Sequence, residues 1–373
     1  MERYRVLRID EQLYGCEELP EGQPVLCDVL LEDPAGQRRV LPYPDAELTR
    51  LDIHEGDTVH LCCHTLTKCQ EEHMKPIQSS ALIGLGALGI LFGRKMPGVQ
   101  VIADADRIAR YSASPVVCNG EACHFDYLTP AEGKPVDLIL IAVKATVLEQ
   151  AIRDIAKFVG PDTVILSVLN GITSEEAVEA AYPGHTLWSV AIGMDATRVG
   201  RSLTFGAAGR IQFGEKNGQI TERVRRVADY LDACGIANEP CSDILYKQWN
   251  KLMVNDGLNQ AAAAFDLPYG GLTQPGPAMD KMFEAMNEVI RLSQLEGVNL
   301  PDDNAHAVYD SMAASFKPEG MPSMRQDVLA HRPTEVEEFA GVVRRLAKKH
   351  DMPTPANDFF YEKIKEIEAS WEN

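Results

Sequence analysis

The stretch Ala81-Leu82-Ile83-Gly84-Leu85-Gly86-Ala87-Leu88-Gly89 puts three glycines directly after a short apolar run and at the start of a helical pattern. In such a turn Gly84 permits the tight bend, Gly86 lets the backbone approach a pyrophosphate, and Gly89 allows close packing of helix on strand. The start of the helix also favours negative charge. A glycine-rich structural turn is the plainer alternative, but the strand before the motif and the helix after it favour a dinucleotide site. The cofactor-binding residues predicted here are Gly84, Leu85, Gly86, Ala87, Leu88 and Gly89.

The residues after the next apolar run bear on the identity of the dinucleotide. Asp104 lies 20 positions after Gly84, at the distance where an acidic residue binds the ribose hydroxyls of NAD. Arg107 and Arg110 follow closely and offer cations for the 2′-phosphate of NADP, although both also suit a solvated helix face. The motif therefore predicts a nicotinamide cofactor, with Asp104 among its contacts, and leaves both NAD and NADP open.

Strand and helix patterns alternate over residues 79–240. Four mostly apolar runs are typical of strands buried on both faces of a parallel sheet. These runs are Ala81–Ile83, Val99–Ala103, Leu138–Val143 and Val164–Val168. Helical patterns such as Val147–Phe158 lie between them, and shorter β segments with turns at Gly193, Gly200, Gly206 and Gly209 follow. This βαβ order predicts an α/β, Rossmann-like dinucleotide-binding domain over residues 79–240.

The regions on either side have different patterns. Residues 1–75 predict four short strands of a small β-rich barrel or sandwich: Tyr4–Ile9, Pro24–Leu31, Arg38–Pro42 and Asp57–Thr65. Residues 241–373 predict five helices: Leu245–Ala264, Ala278–Glu296, Asp303–Ala314, Pro333–His350 and Asn357–Ser370. The predicted order is a small β-rich module at 1–75, the dinucleotide-binding domain at 79–240 and an all-α substrate and catalytic domain at 241–373.

Composition narrows the class of function. The chain has 373 residues and a formal net charge of −19, which argues against a nucleic-acid partner because phosphate binding needs a basic surface. Its apolar runs are too short to cross a bilayer, and no apolar segment of a signal peptide follows Met1. We therefore expect a cytoplasmic protein without a membrane partner. Its nine irregularly spaced cysteines are typical of reduced thiols.

Polar residues recur along one predicted helix. Lys251, Asn255 and Asn259 are spaced four apart among apolar neighbours, so they are expected on one helical face. A buried lysine and buried amides need polar partners, and a bound ligand can supply them. Hydride delivery to a ketone leaves negative charge on oxygen, which a partly desolvated lysine can stabilise and protonate. An exposed helix with a chance polar stripe is the alternative, and the helix alone leaves both interpretations open.

Taken together, these motifs resemble the ketopantoate reductase (2-dehydropantoate 2-reductase) family over roughly residues 80–370. The family's glycine loop matches Gly84–Gly89, and its lysine-x3-asparagine-x3-asparagine signature matches Lys251, Asn255 and Asn259. Further matches, in the family's order, are Val143-Lys144-Ala145, Asn170-Gly171, Ser323-Met324-Arg325-Gln326-Asp327 and Thr334-Glu335. The N-terminal β module lies outside the resemblance.

The resemblance implies three sets of site residues. The catalytic residues are Lys251, as the general acid, and Glu335. The substrate-binding residues are Asn255, Asn259 and Ser323. Beyond the glycine loop and Asp104, the cofactor-binding residues are Lys144, Asn170 and Glu335. Without the family each has a plainer interpretation, as a turn residue at a strand end, a helix cap or a first-turn charge.

Two positions depart from the family's pattern. Asp104 stands where the family has an arginine for the NADP phosphate, so the local residue favours NADH while the family favours NADPH. Tyr269, in Pro268-Tyr269-Gly270, stands where an asparagine commonly helps to hold the substrate, so a different 2-oxo acid could enter. We expect NADPH to be used, with weaker discrimination against NADH than in the family.

The sequence therefore predicts an oxidoreductase that reduces a 2-oxo acid, 2-dehydropantoate to (R)-pantoate, with NADPH. Two alternatives stay open: a reductase of the same fold for another 2-oxo or β-keto acid, and a non-catalytic sensor of nicotinamide nucleotides. The expected partner is a small-molecule 2-oxo acid. The sequence leaves the oligomeric state open, and a homodimer is one of the assemblies that it allows. No metal is expected, because Cys62, Cys63, His64, Cys69 and His73 fit no standard zinc spacing.

Overall fold

The computed structural model describes residues 2–12, 24–33, 36–62, 64–68, 74–314 and 316–371. The chain forms two compact units, Met1–Met74 and Lys75–Asn373. Each unit buries apolar clusters of its own. Among the residues described, no helix is long and apolar enough to cross a membrane. The division of the second unit into a dinucleotide-binding and a helical domain stays a prediction.

The first unit is one antiparallel sheet with a short helix. Its elements are β1 (Glu2–Glu11), β2 (Leu26–Glu32), β3 (Arg38–Pro44), α1 (Asp45–Arg50), β4 (Thr58–Cys62) and β5 (Thr65–Lys68). The strands pair in the order β3-β2-β1-β4-β5. Alternate residues of β2 such as Val29 and Leu31 are fully buried, because side chains alternate across a sheet and one face contains the core.

This unit corrects the sequence prediction in two respects. The segment predicted as one strand, Asp57–Thr65, contains β4 and the start of a second strand, β5. The chain turns at His64, whose φ of 66° is left-handed and incompatible with an extended strand. The described residues thus contain five strands in a single sheet, where four strands in a barrel or sandwich had been predicted.

The second unit begins with a ten-stranded mixed sheet. Its strands are β6 (Ser80–Ile83), β7 (Gln100–Ile102), β8 (Val116–Cys118), β9 (Glu121–Cys123), β10 (Asp126–Leu128), β11 (Val136–Ile141), β12 (Val159–Ser167), β13 (Thr186–Val199), β14 (Ser202–Gly214) and β15 (Asn238–Pro240). They pair in the order β10-β7-β6-β11-β12-β13-β14-β8-β9, with β15 beside β14. The strands from β10 to β13 run parallel. The α/β, Rossmann-like fold is confirmed.

The parallel strands locate the candidate cofactor site. The chain passes from β6 to β7 and β10 on one side, and then to β11, β12 and β13 on the other. In open α/β sheets ligands bind at the carboxyl ends of the strands where the order reverses in this way. The helices that accompany these strands are α2 (Ala87–Gly93), α3 (Ala105–Ala113), α4 (Leu148–Asp154), α5 (Ser174–Ala181) and α6 (Glu222–Ala233).

The β segments after β12 are longer than predicted. Strands β13 and β14 span 14 and 13 residues and form an antiparallel hairpin. Gly200 lies in its turn, but Gly193, Gly206 and Gly209 lie within the strands. Gly193 and Gly209 have φ of 71° and 64°, and a side chain on Gly209 would clash with the backbone oxygen of Ile192. These glycines thus let two irregular strands stay paired instead of ending them.

The rest of the second unit is helical, as predicted. Its helices are α7 (Ile244–Val254), α8 (Gln260–Ala264), α9 (Tyr269–Leu272), α10 (Pro277–Leu295), α11 (Asn304–Ala313), α12 (Ser323–Leu329), α13 (Val342–Ala347) and α14 (Pro355–Ser370). They enclose an apolar cluster that includes Met253, Met286, Phe339 and Phe360. Helices α9 and α12 had not been predicted, because four and seven residues are too few to show a helical period.

Two π-helical turns interrupt these helices. Asn255–Asn259 joins α7 to α8, and Glu337–Gly341 precedes α13. The fully buried Gln260 links the two turns: its Nε2 donates to the backbone oxygen of Asp256 at 2.8 Å, and its Oε1 accepts from the backbone amide of Ala340 at 3.3 Å. Single π turns inside helices are frequent at functional sites. The first turn begins at Asn255 and ends at Asn259, and the second begins two residues after Glu335. All three are predicted site residues.

Candidate active site

The glycine turn has the geometry that a dinucleotide site needs. Gly84, after β6, has φ of 100°, and a Cβ there would lie 2.6 Å from the backbone oxygen of Ala142. A side chain on Gly89 would clash with the Gly84 backbone, so Gly89 is needed for close packing of α2. At Gly86 the nearest atom to such a Cβ is 3.5 Å away. Only Gly86 therefore leaves room for a ligand to approach, which fits a pyrophosphate.

Asp104 has a structural role at the start of α3. Its Oδ1 accepts a hydrogen bond from the backbone amide of Arg107 at 2.7 Å, which caps the helix. Its Oδ2 lies 3.2 Å from Nε of the Arg107 side chain. Arg107 is thus paired with Asp104, and Arg110 donates weakly to the backbone oxygen of Asp106 at 3.4 Å. The carboxylate of Asp104 stays more than half exposed, so it remains accessible to a ribose.

Three predicted site residues form one chain of hydrogen bonds. Nζ of Lys251 donates to Oδ1 of Asn170 at 2.9 Å, and Nδ2 of Asn170 donates to Oε2 of Glu335 at 2.9 Å. Lys251 lies in α7, Asn170 lies after β12 at the carboxyl edge of the parallel sheet, and Glu335 precedes the second π turn. The fold therefore brings together residues that are far apart in sequence, next to the strand ends where the cofactor site is expected.

Burial and nearby carboxylates set the charge of Lys251. Burial lowers the pKa of Lys251 to about 8, although the negative charges of Glu335 and Glu175 act in the opposite direction. Burial also raises the pKa of Glu175, in the first turn of α5, to about 7. A lysine with this pKa is mostly protonated at neutral pH yet can release its proton, as a general acid must.

Glu175 is a residue that the sequence analysis missed. It is 1% exposed, and its carboxylate accepts hydrogen bonds from the Ser174 hydroxyl at 2.9 Å and the Ser189 backbone amide at 3.3 Å. Gln248, one turn before Lys251 on α7, donates to the Ser189 backbone oxygen at 3.0 Å. A buried polar network thus connects Glu175 to the lysine helix. In the sequence, its role was indicated only by its position five residues after Asn170, a predicted site residue.

The predicted substrate residues are only partly brought together. Nδ2 of Asn259 donates to Oδ1 of Asn255 at 3.0 Å, so these two side chains are adjacent. The π turn changes the spacing that a regular helix would give, and Lys251 bonds to Asn170, not to Asn255. Ser323 is the first residue of α12 and is exposed. Within the described ranges, no hydrogen bond joins Ser323 to the Lys251 group, which consists of Lys251, Asn170 and Glu335.

Lys144 lies after β11, at the same edge of the sheet as Asn170. Its Nζ donates to Oδ2 of Asp327 at 2.9 Å and to the backbone oxygen of Pro333 at 3.2 Å. Asp327, in α12, also binds Nε of Arg332 at 2.8 Å. Lys144 therefore joins a parallel strand to the segment that precedes Glu335. Its side chain is about half exposed, at 47%, so it can still contact a ligand.

Two buried acids were also missed, and their contacts are structural. Glu288 of α10 accepts hydrogen bonds from the backbone amides of Ala356 and Asn357, at 2.8 and 3.0 Å, and so caps the start of α14. Asp256 accepts from Nε2 of Gln260 at 2.9 Å within the first π turn. Burial raises the pKa of both carboxyl groups. These residues hold the helices behind Asn255 and Asn259.

No group of three or more potential metal ligands occurs among the residues that the structure describes. Of the cysteine and histidine group considered in the sequence, Cys63, Cys69 and His73 lie outside the described residues. Cys62 is exposed at the end of β4.

Comparison with known proteins identifies the family. The family model described as Ketopantoate reductase PanE/ApbA matches residues 80–218, and the model described as Ketopantoate reductase PanE/ApbA C terminal matches residues 243–368. The chain belongs to the ketopantoate reductase family. The first match contains the glycine turn and Asn170, and the second contains Lys251 and Glu335, so the resemblance found in the sequence is confirmed.

Individual relatives agree with this assignment. The 2-dehydropantoate 2-reductase of Lactococcus lactis subsp. lactis (strain IL1403) is 29% identical over 234 residues, 60% of this chain and 72% of the relative. That of Streptococcus pyogenes serotype M1 is 26% identical over 292 residues, 74% of this chain and 92% of the relative. A D-mandelate dehydrogenase solved with NADH and anilino(oxo)acetate has a similar fold, with a TM-score of 0.71 and 24% identity over 79% of this chain and 100% of that one.

Proposed function

We propose that this ketopantoate reductase family member reduces a 2-oxo acid with NADPH, and that its substrate is 2-dehydropantoate, which becomes (R)-pantoate. The observation that supports this most is the chain of hydrogen bonds from Lys251 through Asn170 to Glu335, at the carboxyl edge of the parallel sheet. These hydrogen bonds hold the ammonium group of Lys251 at the edge of the sheet where the glycine turn also lies. A reduced nicotinamide would act at this edge. The names of the relatives support the same reaction class.

The proposed reaction needs a hydride and a proton. The glycine turn, Gly84–Gly89, would hold a nicotinamide cofactor, which would supply the hydride that the carbonyl carbon needs. Lys251 donates a proton from Nζ to the carbonyl oxygen, and its positive charge stabilises that oxygen while negative charge develops on it. An ammonium group has three donors, and Asn170 uses one, so two remain for the substrate. Glu335, the second residue of the predicted catalytic set, positions Asn170 through its hydrogen bond and stabilises the charged form of Lys251.

Asn259, Asn255 and Ser323 are proposed to bind the substrate. Oδ1 of Asn259 is buried and has no hydrogen-bond partner among the described residues. A buried acceptor without a partner costs roughly 1–3 kcal/mol, so a ligand that donates to it gains that free energy. The hydroxyl group of 2-dehydropantoate is a donor of this kind. Asn255 fixes the Asn259 amide from the neighbouring turn, and the exposed hydroxyl of Ser323 is a further donor.

One observation favours a different 2-oxo acid as substrate. Tyr269 stacks on Phe316, with ring centroids 4.6 Å apart and an angle of 10° between the planes. The backbone amide of Tyr269 also binds the backbone oxygen of Gly320, so the aromatic ring is fixed beside the segment that leads to Ser323. A tyrosine has one hydroxyl where an asparagine has an amide, and its ring face favours a larger apolar substituent on the substrate.

The test is a substrate screen of the purified full chain with NADPH and, separately, NADH. Loss of reduced nicotinamide absorbance is followed with 2-dehydropantoate and with 2-oxo acids of increasing apolar side chain. The highest kcat/KM with 2-dehydropantoate and NADPH is the expected result. A higher value with an aromatic 2-oxo acid assigns the second substrate class instead. Nucleotide binding with no turnover of any 2-oxo acid refutes the proposed activity and favours the nucleotide sensor.

A further inference from the structure

Two arginines lie at the end of the β13–β14 hairpin, and one of them, Arg198, contacts the glycine turn. Arg198, near the end of β13, is on the same side of the strand as Met194 and Ala196, which pack on the core that includes α2. Its Nη1 donates to the backbone oxygen of Leu85, inside the glycine motif. Arg201 is in the hairpin turn, directly before β14. The hairpin therefore brings positive charge to the loop that is expected to hold a pyrophosphate.

Neither arginine has an acidic partner within the part of the chain that the structure describes. Nε of Arg198 donates to the backbone oxygen of Gly200 at 3.0 Å, so both of its hydrogen bonds end on carbonyl groups. Nη1 of Arg201 is buried and has no hydrogen-bond partner among the residues that the structure describes. Burial, and the nearby charge of Arg201, lower the pKa of Arg198. Two converging cations without a carboxylate are unfavourable by themselves, and they are unexpected in a chain with a net charge of −19.

Aromatic side chains extend this group toward α3. Tyr111, on α3, stacks on Tyr127 with ring centroids 5.6 Å apart and an angle of 22° between the planes. The charge of Arg198 interacts with Tyr111, and that of Arg201 with Tyr127. Helix α3 begins directly after Asp104, the position where the ribose of the adenosine half binds in this fold. The group thus spans the region between the pyrophosphate position and the adenosine ribose.

We propose that Arg198 and Arg201 bind phosphate groups of the dinucleotide and supply the positive charge that Asp104 does not. A phosphate accepts several charge-assisted hydrogen bonds, and the planar guanidinium group matches its geometry. Bound phosphate would give Nη1 of Arg201 a partner and would neutralise the repulsion between the two arginines. The diphosphate bridge and the 2′-phosphate offer the same chemistry. This inference rests on the proposed use of a nicotinamide cofactor, but not on the identity of the 2-oxo acid.

The experiment measures nucleotide binding without substrate. Dissociation constants for NADPH and NADH are determined by calorimetry for the full chain and for Arg198→Met and Arg201→Met, which keep much of the apolar stem. Arg210→Met is the matched control, because Arg210 lies on the same hairpin but pairs with Glu239 at 3.3 Å. We expect each of the first two variants to bind NADPH roughly ten- to a hundredfold more weakly, the scale of a lost charge-assisted bond. The control should bind as the parent does.

The pattern of loss tells the two phosphate positions apart. A loss for NADPH alone assigns the arginines to the 2′-phosphate, and an equal loss for NADPH and NADH assigns them to the diphosphate bridge. Unchanged affinity for both nucleotides in folded Arg198→Met and Arg201→Met overturns the inference. If the parent itself binds neither nucleotide, the proposed function fails first. Salt dependence of binding to the parent is a measurement that needs no variant: an affinity that does not fall with added salt also overturns the inference.

Discussion

The catalytic end and the cofactor end of the candidate site differ in how their polar groups are satisfied. Lys251, Asn170 and Glu335 are hydrogen-bonded to one another before any ligand binds. Arg198, which bonds to the glycine turn, and Arg201, whose charge interacts with Arg198, have no acidic partner among the described residues. A group that is already hydrogen-bonded is held in position for chemistry, whereas an unpaired cation gains its partner from the ligand. Substitutions at the first end should therefore change kcat, and those at the second should change cofactor affinity.

The largest effect is expected for Lys251→Ala. Without the ammonium group, neither the charge nor the proton is available at the substrate oxygen, so kcat should fall by roughly two or more orders of magnitude. The dissociation constant of NADPH should stay near that of the parent, because the cofactor is held at the other end. Steady-state kinetics with 2-dehydropantoate and calorimetry with NADPH measure the two quantities.

Lys247→Ala is the control for this substitution. Lys247 lies one turn earlier on α7, where it is near Glu239 and Asp243 at 3.9 and 3.8 Å. It should retain the kcat of the parent, since its charge is not part of the Lys251 group. Near-normal turnover in folded Lys251→Ala would remove the proposed mechanism, whatever the control shows.

A smaller effect is expected from the buried carboxylate of Glu175. Reduction requires protonated Lys251, so kcat should fall as pH rises above about 8. The negative charge of Glu175 raises the pKa of Lys251, so Glu175→Gln should lower that pKa and move the fall to lower pH. At about pH 8 we expect roughly a few-fold lower kcat than in the parent. Glu335 still stabilises the charged form of Lys251 in the variant. Lys251 should therefore become protonated again at lower pH, where activity should be recovered.

The adjacent Glu176 provides the comparison for this pH profile. Its side chain is exposed and pairs with Lys216 at the surface at 2.5 Å, so Glu176→Gln should leave the profile unchanged. Equal shifts in Glu175→Gln and Glu176→Gln would indicate a general change in surface charge and no specific interaction with Lys251. Thermal unfolding of each variant shows separately whether the buried Ser174 and Ser189 contacts still hold the fold.

The next effect concerns cofactor choice at Asp104. Replacing the carboxylate in Asp104→Asn removes repulsion with a 2′-phosphate and weakens acceptance from the ribose hydroxyls of NADH. We expect the ratio of kcat/KM for NADPH to that for NADH to rise by roughly threefold to tenfold. Asparagine also caps helices well, so stability should hardly change. Asp106→Asn, on the same helix, is the control, and an unchanged ratio in Asp104→Asn would show that position 104 does not contact the cofactor.

The sequence predicted those parts of the site that depend on local pattern. The glycine turn follows its strand at the expected place, and the Lys251 helix was found from its spacing. The partners of Lys251 could not be found in this way, because Asn170 precedes it by 81 residues and Glu335 lies 165 residues after Asn170, on the other side of Lys251. Contacts over such distances depend on tertiary packing, which a local period does not report. The family resemblance named these residues without indicating that they bond to one another.

The same limit explains the features that were missed. The π turn at Asn255–Asn259 has the apolar pattern of an ordinary helix, so its extra residue was invisible in the sequence. Arg198 and Arg201 belong to no motif, and the contact of Arg198 with Leu85 depends on the length of the β13–β14 hairpin. That hairpin was predicted as several short segments because Gly193, Gly206 and Gly209 were interpreted as turns.

The smallest effect on the reaction is expected from removing the first unit. A chain that begins at Lys75 retains the sheet, the helices and every residue of the candidate site, all of which lie in the second compact unit. The apolar clusters of that unit contain no described residue before Ile77, so its core should form without the five-stranded sheet. We expect the truncated chain to be folded and to keep its kcat. Its dissociation constant for NADPH should lie within about twofold of that of the full chain, because independent parts of a protein affect one another only slightly. Circular dichroism and calorimetry test this directly. Loss of solubility or of NADPH binding would show that residues 1–74 are integral to the second unit.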